Sequence, residues 1–300
     1  MVNKIKIFSK KKNKLSRNRV AKQKENCDYL FNEINQRLFE RLNLIKRNFT
    51  NVLELGSRTG NTIPLFNKKS DIKNIYLSDI SKNMLITAKN KKIKKNINFF
   101  NLDEENLPFK NNQFNLVFSN LYLHWANDLI KTLNEINRVL KPDGLFLCSI
   151  FGSETLTELK NSLCIAESKI SKKIFPRVSP FIRLQDAGML LQKMGFQLPV
   201  IDKDTVKIFY NDLFSLMNDL RGMGESNSLI DRSMKFTTHK LFNEANKIYK
   251  KKYSEKKKIY ATFEILYFIG WTKHPSQQKP KIPGSAKKKL EDVLSSKINN

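Results

Sequence analysis

Short apolar runs recur along the first half of this chain, each followed by a polar stretch with helical spacing. VLEL (52–55), IYLS (75–78), INFF (97–100), FNLVFS (114–119) and LFLCSI (145–150) have the length and residue types of buried strands. Segments 60–69, 82–94 and 128–140 lie between them, and the last places Leu129, Leu133, Ile136 and Leu140 on one helical face before KPDG turns the chain. Upstream, CDYLFNEINQRLFERLNLIKR (27–47) spaces Leu30, Ile34, Leu38, Leu42 and Ile45 as an amphipathic helix. Strands alternating with helices predict a doubly wound, mostly parallel α/β sheet with right-handed crossovers.

Beyond residue 151 the rhythm changes. Residues 153–170, 183–194, 211–221 and 235–253 read as helices, and FQLPVI (196–201) and VKIFY (206–210) as two strands. YATFEILYFIGW (260–271) reads as one long strand that closes the sheet antiparallel to its neighbours after a helical insertion. The division expected is a basic flexible tail over 1–26, one domain over 27–272 and a polar tail over 273–300. Within the domain, a cofactor half occupies about 50–150, and the insertion and sheet-closing strands occupy 151–272.

Composition narrows this further. Apolar residues make up 40% of 300, enough for a folded core. No run approaches the roughly 18–20 apolar residues of a membrane-spanning helix. Cys27, Cys148 and Cys164 are widely spaced and suggest neither a disulfide framework nor a zinc site. A reducing compartment follows: a bacterial cytoplasm, or a mitochondrial matrix if the basic N-terminus serves as a presequence. The net charge of +27 invites a nucleic-acid reading. Lysine far outnumbers arginine, however, and bidentate readout of bases favours arginine, so solvated lysine-rich surfaces are the better reading.

Candidate chemistry sits where the strands end, since ligands of open α/β sheets bind at the strands' carboxyl ends. Glu54-Leu55-Gly56-Ser57-Arg58-Thr59-Gly60 follows the first strand, with glycines suited to a tight turn and close backbone approach. A dinucleotide fingerprint would place glycines where Arg58 and Asn61 stand, which argues against one. Asp79 follows the second strand, ready to accept from ribose hydroxyls. Asp103-Glu104-Glu105 follows the third, placed to meet a base amino group. Ser119-Asn120-Leu121-Tyr122-Leu123-His124-Trp125 follows the fourth.

In that order, E-x-G-x-x-x-G, LSDISKNML, NLDEENLPFKNNQFNLVFSN and INRVLKPDGLF resemble class I S-adenosylmethionine-dependent methyltransferases over about residues 50–150. The resemblance implies a Rossmann-like fold with S-adenosylmethionine as cofactor. By position it implies Gly56 and Gly60 at the methionine end, Asp79 at the ribose and Asp103 at the adenine, with Glu54, Ser57, Ile80 and Glu104 as further cofactor contacts. Asn120 completes the expected cofactor contacts. SNLYLHWANDL, IFGSETLTELKNSL, SPFIRLQDAGMLLQKMGF, DLRGMGESN and YFIGWTKHPSQQKP are similar to a subgroup with two known kinds of member. One is the mitochondrial complex I assembly factor 5 type, assigned arginine hydroxylation; the other is the malonyl-carrier-protein methyltransferase of biotin synthesis. The resemblance therefore implies a protein or carrier-protein substrate, including a complex I subunit.

The molecular expectation is methyl transfer to a protein or carrier-bound acceptor, with arginine hydroxylation as the alternative and a non-catalytic assembly role as the third reading. His124 is the candidate base or substrate contact, with Trp125 as a wall, Arg221 for an anionic substrate group and Glu225 for a cationic one such as guanidinium. The N/D-P-P-Y signature of nucleic-acid base methylation is missing after strand four, where Ser119-Asn120-Leu121-Tyr122 stands instead. His124, His239 and His274 are far apart in sequence and form no facial-triad motif for iron. Two positions depart from the family pattern: Arg58 for a glycine, expected to pair with the cofactor carboxylate or face solvent, and Asn115 for an aspartate.

Overall fold

The alternation of apolar residues along the central strands feeds two opposite cores. Leu116, Phe118, Leu145 and Leu147 point into one, while Val117, Phe146 and Cys148 point into the other. A strand buried on both faces must be apolar at successive positions, which is why these runs read so clearly. The computed structural model describes residues 6–23, 27–91, 94–171, 174–233, 237–278 and 284–285.

Five strands are parallel: β1 (Asn51–Leu55), β2 (Asn74–Asp79), β3 (Asn96–Asn101), β4 (Phe114–Asn120) and β5 (Leu140–Phe151). β6 (Gln197–Tyr210) and β8 (Lys258–Trp271) complete the sheet in the order β3-β2-β1-β4-β5-β8-β6, with the two-residue β7 (Ser254–Glu255) beside β8. As expected, β8 runs antiparallel to both neighbours. The strand order reverses between β1 and β4, and the loops after β1, β2, β3 and β4 converge there.

Helices α2 (Tyr29–Leu44), α3 (Ile63–Lys68), α6 (Thr157–Ser171), α8 (Leu213–Met223) and α9 (His239–Lys252) pack on the first face. On the second lie α5 (Leu129–Val139) and α7 (Leu184–Lys193). The short α4 (Lys82–Lys89) follows β2 and is N-capped by Ser81, whose hydroxyl accepts from the Met84 N–H at 3.2 Å. Two departures stand out. FQLPVI and VKIFY form a single strand, because β6 is an edge, where Pro199 and the exposed Asp202-Lys203 are tolerated and a register shift absorbs Leu198 at φ 48°. The expected tail over 1–26 is in part α1 (Lys10–Val20), a helix docked on the cleft; residues 1–5 and 24–26 lie outside the described residues. Most of the polar segment 273–300 also lies outside them.

Candidate functional site

The turn after β1 is built by close approach. Gly56 has φ 73°, and a Cβ there would fall 2.0 Å from the Tyr122 ring. Any side chain would expel Tyr122, which fixes glycine at this position. Glu54 is buried behind the turn and accepts from the Thr62 hydroxyl at 2.6 Å. Burial disfavours its ionised form and pushes its pKa to about 8. The Ser57 hydroxyl is buried with no hydrogen-bond partner among the described residues.

Arg58 takes neither expected pose. It sits at φ 52°, 4% exposed, with its guanidinium 2.6 Å from Asp28 and 3.7 Å over the Phe31 ring. It also donates to the Met223 carbonyl at 2.9 Å. Burial lowers its pKa, and its pairing holds the Asp28 carboxyl below the usual range despite that group's own burial. Arg58 thus clamps the turn to the start of α2 and the end of α8. Asn115, the other departure, serves the strand starts by accepting from the Thr50 hydroxyl and the Asn51 N–H.

At the end of β2, Asp79 is 1% exposed and saturated with donors. Oδ1 accepts from Arg17 Nε at 3.1 Å and the Ser81 N–H at 2.8 Å; Oδ2 accepts from the second Arg17 nitrogen at 2.5 Å and the Arg58 N–H at 3.0 Å. The Arg17 guanidinium also lies 4.8 Å from the Tyr122 ring centroid. Ile80 lines the adjoining surface with Lys10, Lys11 and Lys14. After β3, Lys10 contacts Asp103 at 2.5 Å and Glu105 at 2.8 Å. Burial works against the Lys10 ammonium, but Glu104, Asp103 and Glu105 more than offset it and raise its pKa. Glu104 is buried, its pKa raised by desolvation, and it accepts from the Tyr122 hydroxyl at 2.7 Å.

Asn120 is not a cleft residue. Its amide donates to the Phe31 carbonyl and to Asn35, and its oxygen accepts from Ser149, so its capacity is spent tying β4 to α2 and β5. The structure does unite the remaining pieces past β4. His124 Nε2 lies 3.1 Å from Glu225, and Trp125 Nε1 lies 3.5 Å from the same carboxylate. His124 Nδ1 is buried without a partner among the described residues. Its ring is 4.9 Å from Phe151 and 5.8 Å from Phe181. Glu225 and Arg221 line a cavity of about 220 Å³ whose other walls include Phe151, Leu156, Phe181 and Phe263.

Sequence reasoning missed Arg17 and Lys10. Their helix buries a polar face, Asn13, Ser16 and Arg17, so it carries no apolar stripe to announce it.

The donor set suits an adenosyl cofactor: a glycine turn with an unpaired buried hydroxyl at Ser57, an acid ending β2 and acids after β3. In the arrangement described, Arg17 and Lys10 hold those acids. A family profile described as a methyltransferase domain matches residues 53–148. The human protein named arginine-hydroxylase NDUFAF5, mitochondrial, is 38% identical over 99% of this chain and 85% of its own length. A malonyl-[acyl-carrier protein] O-methyltransferase of Xylella fastidiosa is 30% identical, covering 81% of each chain. A crystal structure of a methyltransferase-like protein from Bacillus halodurans aligns with TM-score 0.55 at 14% identity, over 79% of this chain and 97% of its own. That likeness shows the fold, a Rossmann-like class I methyltransferase architecture. With close to two fifths of its residues shared over nearly its full length, the chain belongs to the NDUFAF5 family of methyltransferase-fold proteins.

Proposed function

We propose that this protein binds S-adenosylmethionine and hydroxylates an arginine side chain of a protein partner, the activity for which its full-length relatives are named: one atom of dioxygen enters a C–H bond of the side chain and the other leaves as water, with two electrons and two protons drawn from a separate reductant. The observation that carries the arginine reading is Glu225, whose side chain is only 7% exposed yet lines a cavity of mixed apolar and polar walls. Phe151, Leu156 and Phe263 would cover the methylenes of an arginine, and the carboxylate would take its planar fork. His124 and Trp125 each occupy one acceptor site of that carboxylate, leaving lone pairs for about two further donors. A complex I subunit is the partner class that the relatives suggest.

Glu54, Gly56, Ser57, Gly60, Asp79, Ile80 and Glu104 are the residues assigned to the cofactor, with Asp103 at the rim. When bound, S-adenosylmethionine supplies a sulfonium with an electrophilic methyl group. The chain's own contribution is to orient the acceptor at Glu225, a carboxylate fixed by His124 Nε2 and Trp125 Nε1, and to exclude water with Phe151 and Phe181.

Methyl transfer to a carrier-bound carboxylate is the second reading. It is favoured by Arg221, which lines the same cavity and forms no ion pair among the described residues. Comparative peptide mass spectrometry of complex I subunits, from cells with and without the gene, separates the two. An arginine that loses one oxygen on deletion supports hydroxylation. A residue that loses one methylene instead would replace it with methyl transfer. An unchanged spectrum in every subunit would remove complex I as the partner.

A further inference from the structure

The N-terminal helix occupies the positions that the fold reserves for the adenosine half of its cofactor. Arg17, 2% exposed, grips both oxygens of Asp79. With the Ser81 and Arg58 amides also bound, that carboxylate carries four donors, and a carboxylate has about four acceptor sites. Nothing remains for two ribose hydroxyls. Lys10, two turns earlier on the exposed edge of the cleft, neutralises the acids after β3. The Tyr122 ring, under Arg17, fills the space against Gly56.

Polar contacts hold most of the helix in place. Asn18 accepts from the Ser81 hydroxyl at 2.6 Å, Ser16 donates to the Gly224 carbonyl at 3.3 Å, and Thr87 donates to the Ala21 carbonyl at 3.3 Å. Ahead of it, the Ser9 N–H donates to the Ser228 carbonyl at 2.8 Å, and Phe8 packs edge-on against Trp125 at 5.1 Å. The helix therefore bridges the cofactor half and the 224–228 turn that carries Glu225.

We propose that α1 is an internal plug: the docked helix and a bound adenosyl cofactor exclude each other, and cofactor binding requires Arg17 to leave Asp79. The plug places Arg17 on the buried Asp79 and Lys10 on Asp103 and Glu105 at the rim, so the docked arrangement is stabilised and the apparent affinity of the site is lowered. Because Ser16 and Ser9 hold the 224–228 turn, releasing the helix also frees the segment bearing Glu225. The proposal rests on the cofactor assignment and not on the arginine chemistry.

The test is calorimetric titration of the full-length chain with S-adenosylhomocysteine, beside hydrogen exchange of the α1 amides. Arg17→Ala is expected to bind at least about tenfold tighter than the wild type. Lys10→Ala, at a half-exposed site with less effect on folding, is expected to bind several-fold tighter. In the wild type, ligand is expected to speed exchange over 10–20. Equal affinities of all three proteins, or slowed exchange in α1, would overturn the plug while leaving the cofactor site standing. Failure of all three to bind would remove the cofactor assignment and the plug with it.

Discussion

Replacing Arg58 by glycine restores the residue that the family pattern leads one to expect, yet the structure predicts that it weakens the protein. Removing a non-glycine residue from φ 52° relieves roughly 1 kcal/mol of backbone strain. Glycine's extra freedom in the unfolded chain takes back about 0.5–1 kcal/mol, so the backbone terms nearly cancel. What remains is the guanidinium. Breaking a buried ion pair by deleting one partner costs about 3–5 kcal/mol, because the other charge is left uncompensated. Asp28 is 5% exposed and would keep the Asn61 amide at 2.8 Å, with the Lys91 charge also favouring its ionised form. That contact places the expected loss near the lower end, about 3 kcal/mol. Urea unfolding of wild type, Arg58→Gly, Asp28→Asn and the double variant measures it, since contacting residues give a coupling that separate sites do not. The double variant should recover more than half the loss of Arg58→Gly. A neutral or stabilising Arg58→Gly, or a double variant as costly as the two single losses added, would refute the clamp.

Three further outcomes follow from the same contacts. Glu54 has a folded pKa of about 8 against an ordinary value near 4.3, so the folded state holds its proton longer than the unfolded chain does. Stability of the wild type should thus fall between pH 5 and 8 relative to Glu54→Gln, by up to roughly 4 kcal/mol in chemical unfolding; parallel pH profiles would contradict the buried acid. Phe118 is fully buried between Phe39 at 5.4 Å and Phe66 at 5.6 Å, so Phe118→Ala should cost about 3–5 kcal/mol in the same assay, and a loss under about 1 kcal/mol would mean the core is not packed as described. His124→Ala should lower modification of the partner by about tenfold, because Nε2 no longer holds the Glu225 carboxylate, and unchanged modification would mean that this carboxylate needs no such support.

The parallel half of the sheet was legible because strands buried on both faces leave near-continuous apolar runs, as in FNLVFS and LFLCSI. The antiparallel β8 was legible for the same reason. β6 was not read as one strand, since an edge strand tolerates Pro199 and successive charges that look like a loop. At the site, the glycine turn and the acids at strand ends followed from local spacing. The pairing of His124 with Glu225, 101 residues apart, followed from no spacing at all. Arg58 could be seen as a departure, but its partner Asp28 could not. Least visible was α1, whose buried face is held by polar pairs such as Arg17 with Asp79, 62 residues away. Periodicity reports apolar burial and is blind to a helix held by charge.

The central claim is that Glu225 receives a guanidinium, and one quantity tests it directly: the fraction of partner arginine modified in cells whose sole copy carries Glu225→Gln. The exchange keeps shape and removes charge, so protein abundance, measured in the same digests, should hold. The account predicts at least about a tenfold fall in the modified fraction, the loss of one charge-assisted contact of about 1.5–3 kcal/mol. Full modification at normal abundance would contradict it and move the acceptor away from this carboxylate.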